Sequence, residues 1–287
     1  MTRVHLLALC CLLALSSASR WDDGPQSVSA APLKAGEVEL VYLANEGFLV
    51  RSRERAFVID AFLKEPLGAY AALSPALHSK LAAGAAPFDA IDLALVSHSH
   101  ADHFQAGSAL AFMKSSPGTE LATSPQVLAG LESRLGQDEA AQAVRARLHS
   151  RLPQTGQTVS FEHKGIEVSF LRLPHAGNRP TIQNLGHLIQ FEDLTILHVG
   201  DAEGSLAVFA PYGLADVHID VALLPYWFWQ SAAGQDLVAT ELAAETLIAI
   251  HIPPREVAAV AESLSAADSG GVHVFRESLE SLVIEAR

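Results

Sequence analysis

The stretch IDLALVSHSHADHF, Ile91 to Phe104, joins an apolar run to three histidines and an aspartate packed into six positions, His98 to His103. The run does not alternate, so it reads as a strand buried on both faces. The polar groups then fall at its C-terminal end. His98 and His100 stand two apart, and in an extended segment their rings leave the same side and can reach one ion. Asp102 and His103 follow where the strand gives way to a turn, so they can face a second position. A solvated polar loop is the bland alternative. Four ligand-type side chains in six residues after an apolar strand favour metal binding over it.

On the N-terminal side, VELVYLAN, EGFLVRS and RAFVIDAF are β-branched and aromatic runs broken by polar turns, the pattern of an antiparallel meander. PLGAYAALSPALHSKLAAG is Ala/Leu-rich and is expected to be helical, with Pro75 as an interruption. After the motif, AGSALAFMKSS reads as a helix, ELATS as a strand, and PQVLAGLESRL and DEAAQAVRARL as helices. TVSFEHK, IEVSFLRLPH, LGHLIQFED and LTILHVGD then predict four strands. DVALLPYW, helical LVATELAAE, strand TLIAIHI, a helix PREVAAVAESL opened by Pro254, and strands GVHVF and SLVIE complete the chain. Strand blocks separated by helices imply sheet packed on sheet with helices outside, an α/β class.

The first residues, MTRVHLLALCCLLALSSASR, place Arg3 before an apolar run, Val4 to Leu15, that ends in small residues. The run is too short to span a bilayer and reads as a secretory signal peptide over 1–19. Residues 20–36 read as a flexible linker and 37–287 as one domain. The expected location is therefore periplasmic or extracellular, with no stable membrane insertion after signal removal. Cys10 and Cys11, the chain's two cysteines, fall inside the signal, so a metal site must use His and carboxylates. The formal charge is −13 and the sequence holds no Lys/Arg cluster, which together argue against nucleic acid as a partner. No G-x-S-x-G occurs, which disfavours a serine hydrolase.

HSHADH resembles the signature of the metallo-β-lactamase superfamily, whose fold is a four-layer αββα sandwich. The resemblance continues in RLPHAG, ILHVGDAE and IAIHIPP, which supply His175, Asp201 and His251 in the family's order. It runs from about Glu37 to the C-terminus. NEGFLVRSRERAFVIDAF and NLGHLIQFEDLTILHVGDAE look most like the broad branch that contains L-ascorbate phosphate lactonase and related metal-dependent hydrolases. The resemblance implies that His98, His100 and His175 hold one divalent ion, Asp102, His103 and His251 a second, and that Asp201 bridges them. Zinc suits this thiol-free set best, with manganese or iron as alternatives.

Such a pair would generate a metal-bridging hydroxide to attack a small ester, lactone or phosphodiester, with Asp102 as the catalytic residue that orients it. An aspartate at the bridging position is common in the family's ester and phosphodiester hydrolases and commonly missing from its true β-lactamases. β-Lactam hydrolysis is thus the alternative activity, and a non-catalytic metal-binding protein the alternative of another class. His218 and His273 compete with His251, which is favoured because it ends an apolar strand followed by Pro253 and Pro254. His198, three before Asp201, is expected to face away and to support the site from behind. Tyr226, Trp227 and Trp229 in PYWFWQS, together with His187 as a proton donor, are the expected substrate contacts, against a core-packing alternative.

Overall fold

The structure is a computed structural model that describes residues 32–266 and 271–285. The signal-peptide reading and residues 20–31 of the expected linker lie outside the described residues.

In chain order the first half forms β1 (Glu37–Ala44), β2 (Gly47–Arg51), β3 (Ala56–Ile59), α1 (Pro75–Ala82), β4 (Leu93–Val96), α2 (Ala106–Ser115), β5 (Glu120–Thr123), α3 (Pro125–Glu132), α4 (Glu139–Arg145) and β6 (Leu148–Ser150). The second half forms β7 (Thr158–His163), β8 (Ile166–Arg172), β9 (Leu185–Phe191), β10 (Leu194–His198), α5 (Leu206–Phe209), β11 (Ile219–Pro225), α6 (Ala232–Thr240), β12 (Ala244–Ile250), α7 (Val257–Ala266) and β13 (Ser281–Glu285). One sheet runs β13-β1-β2-β3-β4-β5-β6 and the other β12-β11-β10-β9-β8-β7. In both, an antiparallel meander passes into parallel strands, at β3–β4 in one and β10–β11 in the other. β13 returns to the first sheet and pairs with β1, so Glu285 lies opposite Glu37.

β4 shows why the layers form. Leu93 and Leu95 point between the sheets, where they meet Phe57, Phe170, Ile189 and Ile196. Ala94 and Val96 point the other way, onto Leu77, Phe112 and Val127 of the helices. Both faces of the strand are buried, as its unbroken apolar run requires. A third apolar cluster joins Leu197, Leu224 and Ala249 of the second sheet to Phe209, Leu237 and Leu264 of α5, α6 and α7. Three apolar interfaces between four layers make the expected αββα sandwich.

Several boundaries differ from the sequence reading. Helix is confined to Pro75–Ala82, and Pro75 opens α1 instead of interrupting it, because proline's missing N–H is harmless at the first helical position. The Ser74 side chain caps that helix by accepting from the Leu77 amide at 3.2 Å. Residues 66–73, expected to be helical, instead form a turn tied by the Tyr70 amide to Leu67 oxygen at 3.0 Å. α6 stops at Thr240, where Ala244 and Glu245 already belong to β12. α7 starts at Val257, after a turn that begins at Pro254, and GVHVF reduces to a single bridge from His273 to Ile248. β6, too short to show a pattern, was not expected.

Phe57 is fully buried between the sheets with its ring edge on Phe191 at 5.1 Å. Phe57→Ala is expected to lower unfolding free energy by about 3–5 kcal/mol in urea titration. Val159→Ala, on the exposed edge strand β7, should change it by under about 0.5 kcal/mol.

Candidate metal centre

The side chains singled out in the sequence stand at one rim of the sandwich, at the C-terminal ends of strands. His98 follows β4, His175 follows β8, Asp201 follows β10 and His251 follows β12. All seven expected ligands meet there. His98 Nε2 lies 3.0 Å from His100 Nδ1, which lies 3.1 Å from His175 Nε2. Asp201 Oδ2 stands 3.2 Å from His175 Nε2 and 3.8 Å from His98 Nε2. Its other oxygen, Oδ1, lies 3.2 Å from His103 Nε2 and 3.0 Å from His251 Nε2. Asp102 Oδ2 completes the second group at 3.4 Å from His251 Nε2 and 3.8 Å from His103 Nε2. Ligand atoms around a tetrahedral ion at about 2.0–2.1 Å stand about 3.3 Å apart, so both groups have ligand-shell spacing.

The donor set passes a second test of fit. His103 Nε2, His251 Nε2 and Asp201 Oδ1 are buried and have no hydrogen-bond partner. Buried polar atoms are almost always satisfied, and three orphans converging on one point are what a cation would satisfy. Electrostatics agree. Burial opposes ionisation of Asp201, but His103, His175 and His251 hold its carboxyl well below the usual range. Burial likewise opposes charge on His251, yet the Asp102 and Asp201 carboxylates raise it to about 9. Burial pushes His98 well down, and His103 beside it adds to the effect.

Local structure explains how these atoms are held. Gly200 makes the turn before Asp201 at φ +55°, and a Cβ there would collide with Asn184 Oδ1 and come within 2.8 Å of Ser97 Cβ. Asn184 accepts from the Asp201 amide at 3.1 Å and donates to Val199 oxygen at 3.1 Å. His251 itself sits at φ +60°, a conformation that costs a non-glycine residue about 1–3 kcal/mol and is retained mainly at functional sites. Asn45, in the turn between β1 and β2, donates from its side chain to Asp102 oxygen at 2.8 Å and accepts from the His251 amide at 3.4 Å.

In His103 and His175 the ring nitrogen that faces away from the centre is committed. Asp60, at the end of β3, stands 2.9 Å from His103 Nδ1 and accepts from the Ser97 amide at 2.7 Å. That contact places the His103 proton on Nδ1 and leaves Nε2 free as a ligand. His175 Nδ1 donates to Ala176 oxygen at 2.6 Å with the same effect. His198 is buried behind the site, taking the Gly200 amide on Nδ1 at 3.2 Å, with Nε2 3.3 Å from Glu46 oxygen. Glu46 is fully buried and neither side-chain oxygen has a hydrogen-bond partner; burial raises its carboxyl well above the ordinary range, with His103 opposing.

A cavity of about 420 Å³ opens onto these groups, walled by Leu67, Tyr70, Arg179 and Trp227. Trp227 donates its indole N–H to Ala202 oxygen at 3.1 Å and stands edge-on to His251 at 5.1 Å. Tyr70 makes a similar contact with His251 at 4.2 Å. Of the three aromatics expected to meet substrate, Trp227 alone lines the cavity. A single 3-10 turn over Tyr226–Trp229 sends Trp229 into the outer core and leaves Tyr226 half-buried beside Trp227. His187 is also off the cavity wall. It is fully buried against Phe170, where burial and His198 lower it to about 3 and keep it neutral. Asp60, Asn184, Glu46, Tyr70 and Arg179 were not singled out in the sequence. Asp60 had one usable signal, a carboxylate ending the apolar strand FVID.

The competing histidines lie elsewhere: His218 is exposed beside Asp220 at 3.2 Å, and His273 packs on Phe275.

Residues 55–274 match the beta-lactamase superfamily domain, and the chain belongs to that family. No curated protein sequence matches it. Among solved structures it resembles a metallo hydrolase from the hyperthermophilic archaeon Ignicoccus hospitalis, with TM-score 0.58 and 18% identity over 88% of this chain and 100% of that one. An isothiocyanate hydrolase from Delia radicum gut bacteria gives TM-score 0.56 and 16% identity over 87% and 100%. The diiron β-hydroxylase CmlA from Streptomyces venezuelae gives 0.57 and 14% over 88% and 55%. At these identities the likeness establishes the shared fold.

Removing the Asp60 carboxylate should leave His103 free to turn. Asp60→Ala is expected to weaken zinc binding about 10–100-fold in chelator competition. A second outcome concerns protons. His251 holds its proton up to about 9 in the metal-free protein and must lose it to ligate, so zinc uptake at pH 7.5 should release protons. The release should shrink as pH rises through 9, followed with an indicator dye.

Proposed function

We propose that the protein is an exported metal-dependent hydrolase with a two-ion centre, acting on a small ester, lactone or phosphodiester. The observation that carries this reading is the Asp201 carboxylate, which turns one oxygen to His98 and His175 and the other to His103 and His251. A carboxylate divided between two nitrogen groups suits a bridge between two cations. Family membership supports hydrolysis as the chemistry, and the Ignicoccus hospitalis structure described as a metallo hydrolase supports metal dependence. The apolar leader at Val4–Leu15 supports export.

His98, His100 and His175 would hold one ion and Asp102, His103 and His251 the other. Zinc is the metal that best suits these nitrogen and oxygen donors, with manganese and iron as alternatives. When bound, the pair would supply an activated water and a Lewis acid for the substrate oxygen.

The chain's own residues supply the rest. Asp102, tied through its backbone oxygen to Asn45, fixes the second group and lies on the cavity wall, where it can orient the attacking water. Burial, with Tyr226, Asp201 and Asp102 adding to it, lifts the Tyr70 phenol to about 12. It therefore keeps its proton at neutral pH and can donate a hydrogen bond to the substrate or leaving oxygen. Trp227 and Leu67 form an apolar wall that suits a ring or short hydrocarbon.

The zinc-loaded protein should hydrolyse at least one member of a panel of aryl esters, lactones and phosphodiesters, and lose that activity to chelator. Hydrolysis of nitrocefin but not the panel would favour the β-lactam alternative. Bound metal with no turnover of either would favour a non-catalytic protein. Asp102→Ala should abolish turnover with an unchanged circular dichroism spectrum. Tyr70→Phe should lower kcat about tenfold or more with little change in KM.

A further inference from the structure

The cavity has a second recognition feature beside the metal ligands. His100 uses Nδ1 toward the His98 and His175 nitrogens, at 3.0 and 3.1 Å, so its Nε2 points outward. Arg179 Nη1 lies 3.4 Å from that Nε2. A neutral imidazole has one N–H and one lone pair. With the Nδ1 lone pair turned to a bound ion, the proton would sit on Nε2, and the ring would offer Arg179 no acceptor. Two donors then stand side by side at the cavity wall, 3.4 Å apart.

No described carboxylate pairs with this arginine, although the chain carries 32 acidic residues against 19 basic. It is exposed at the cavity wall and is the cavity's single Lys or Arg. Its place is also fixed by the backbone. Gly177 and Asn178 both adopt positive φ, 73° and 54°, and turn the chain so that Arg179 overhangs His100. The turn is anchored on one side by the Ala176 amide to Asp201 oxygen at 2.8 Å. On the other side Gln126 holds Thr181 oxygen at 3.2 Å and Gln183 at 2.9 and 3.0 Å.

We propose that Arg179 and the outward Nε2–H of His100 form an anion subsite that selects substrates bearing a carboxylate next to the bond to be cleaved. A carboxylate accepts from both donors at once, and the guanidinium supplies the matching charge. Trp227 and Leu67 would cover the apolar remainder of the same substrate. This deepens the hydrolase reading and rests on it only for the word substrate, since the subsite makes a binding prediction of its own.

Isothermal titration of the zinc-loaded full chain with phenylacetate and with its neutral analogue phenylacetamide tests it. Phenylacetate should bind at least tenfold more tightly than phenylacetamide. Arg179→Ala should weaken phenylacetate about tenfold, or about 1.4 kcal/mol, and leave phenylacetamide unchanged. Arg179→Lys should recover part of the loss and Arg179→Gln none. The proposal is overturned if phenylacetate fails to bind, if Arg179→Ala binds it as tightly as the parent, or if both ligands weaken alike. In a matched ester pair with and without a carboxylate, the same variant should raise KM for the charged ester only. Arg179-dependent phenylacetate binding in a protein that cleaves no ester, lactone or phosphodiester of the panel would sustain the subsite and overturn the proposed activity.

Discussion

The structure turns on a cluster of carboxylates and imidazoles arranged so that a cation can sit among them. Two carboxylates and five imidazoles meet at the rim of the sandwich, most of them buried, and three of their ligand atoms have no hydrogen-bond partner. In a low-dielectric setting buried carboxylates need a positive charge beside them, which a protonated imidazole or a bound cation can supply. The opposed tendencies of Asp201, held well below its usual range, and His251, raised to about 9, show carboxylate–imidazolium pairs in the metal-free cluster, whose protons a bound cation would replace.

The scaffold is organised to hold this arrangement in place. Strands from both sheets end at the same rim, so side chains distant in sequence arrive together, and the loops that carry them are tied from behind by few residues. Asn45 joins the Asp102 loop to His251, Asn184 joins the end of β10 to Asp201, and Asp60 joins Ser97 to His103. Left-handed backbone at Gly200 and His251 belongs to the same design, adopted freely by the glycine and by His251 against its conformational preference. The cavity outside combines an apolar wall with one cationic group, which gives the chemistry a direction in which to discriminate.

How much of this was legible in the sequence follows from what leaves a periodic or spaced trace. The strand Leu93–Val96 and the ligands after it could be read because a doubly buried strand is an unbroken apolar run and two ligands on one side of an extended segment must be two apart. His175, Asp201 and His251 carry no mutual spacing and were placed through their order in the resemblance; the structure brings all three to the rim. The supporting residues were illegible because each is a single polar side chain at a strand end or turn, and its partner is set by tertiary contact. Trp229 and His187 misled because an aromatic or histidine beside a site looks the same whether it faces the cavity or the core. Pro75 misled in the opposite sense, marking the start of a helix where an interruption was expected.

The central claim is that Asp201 stands between two ions, and counting metal in the protein tests it most directly. Elemental analysis of the purified chain after zinc loading and exhaustive dialysis should give two ions per chain, falling to one or fewer in Asp201→Ala with the fold retained. One ion or none in the parent protein, or two ions undiminished in the variant, would contradict the account.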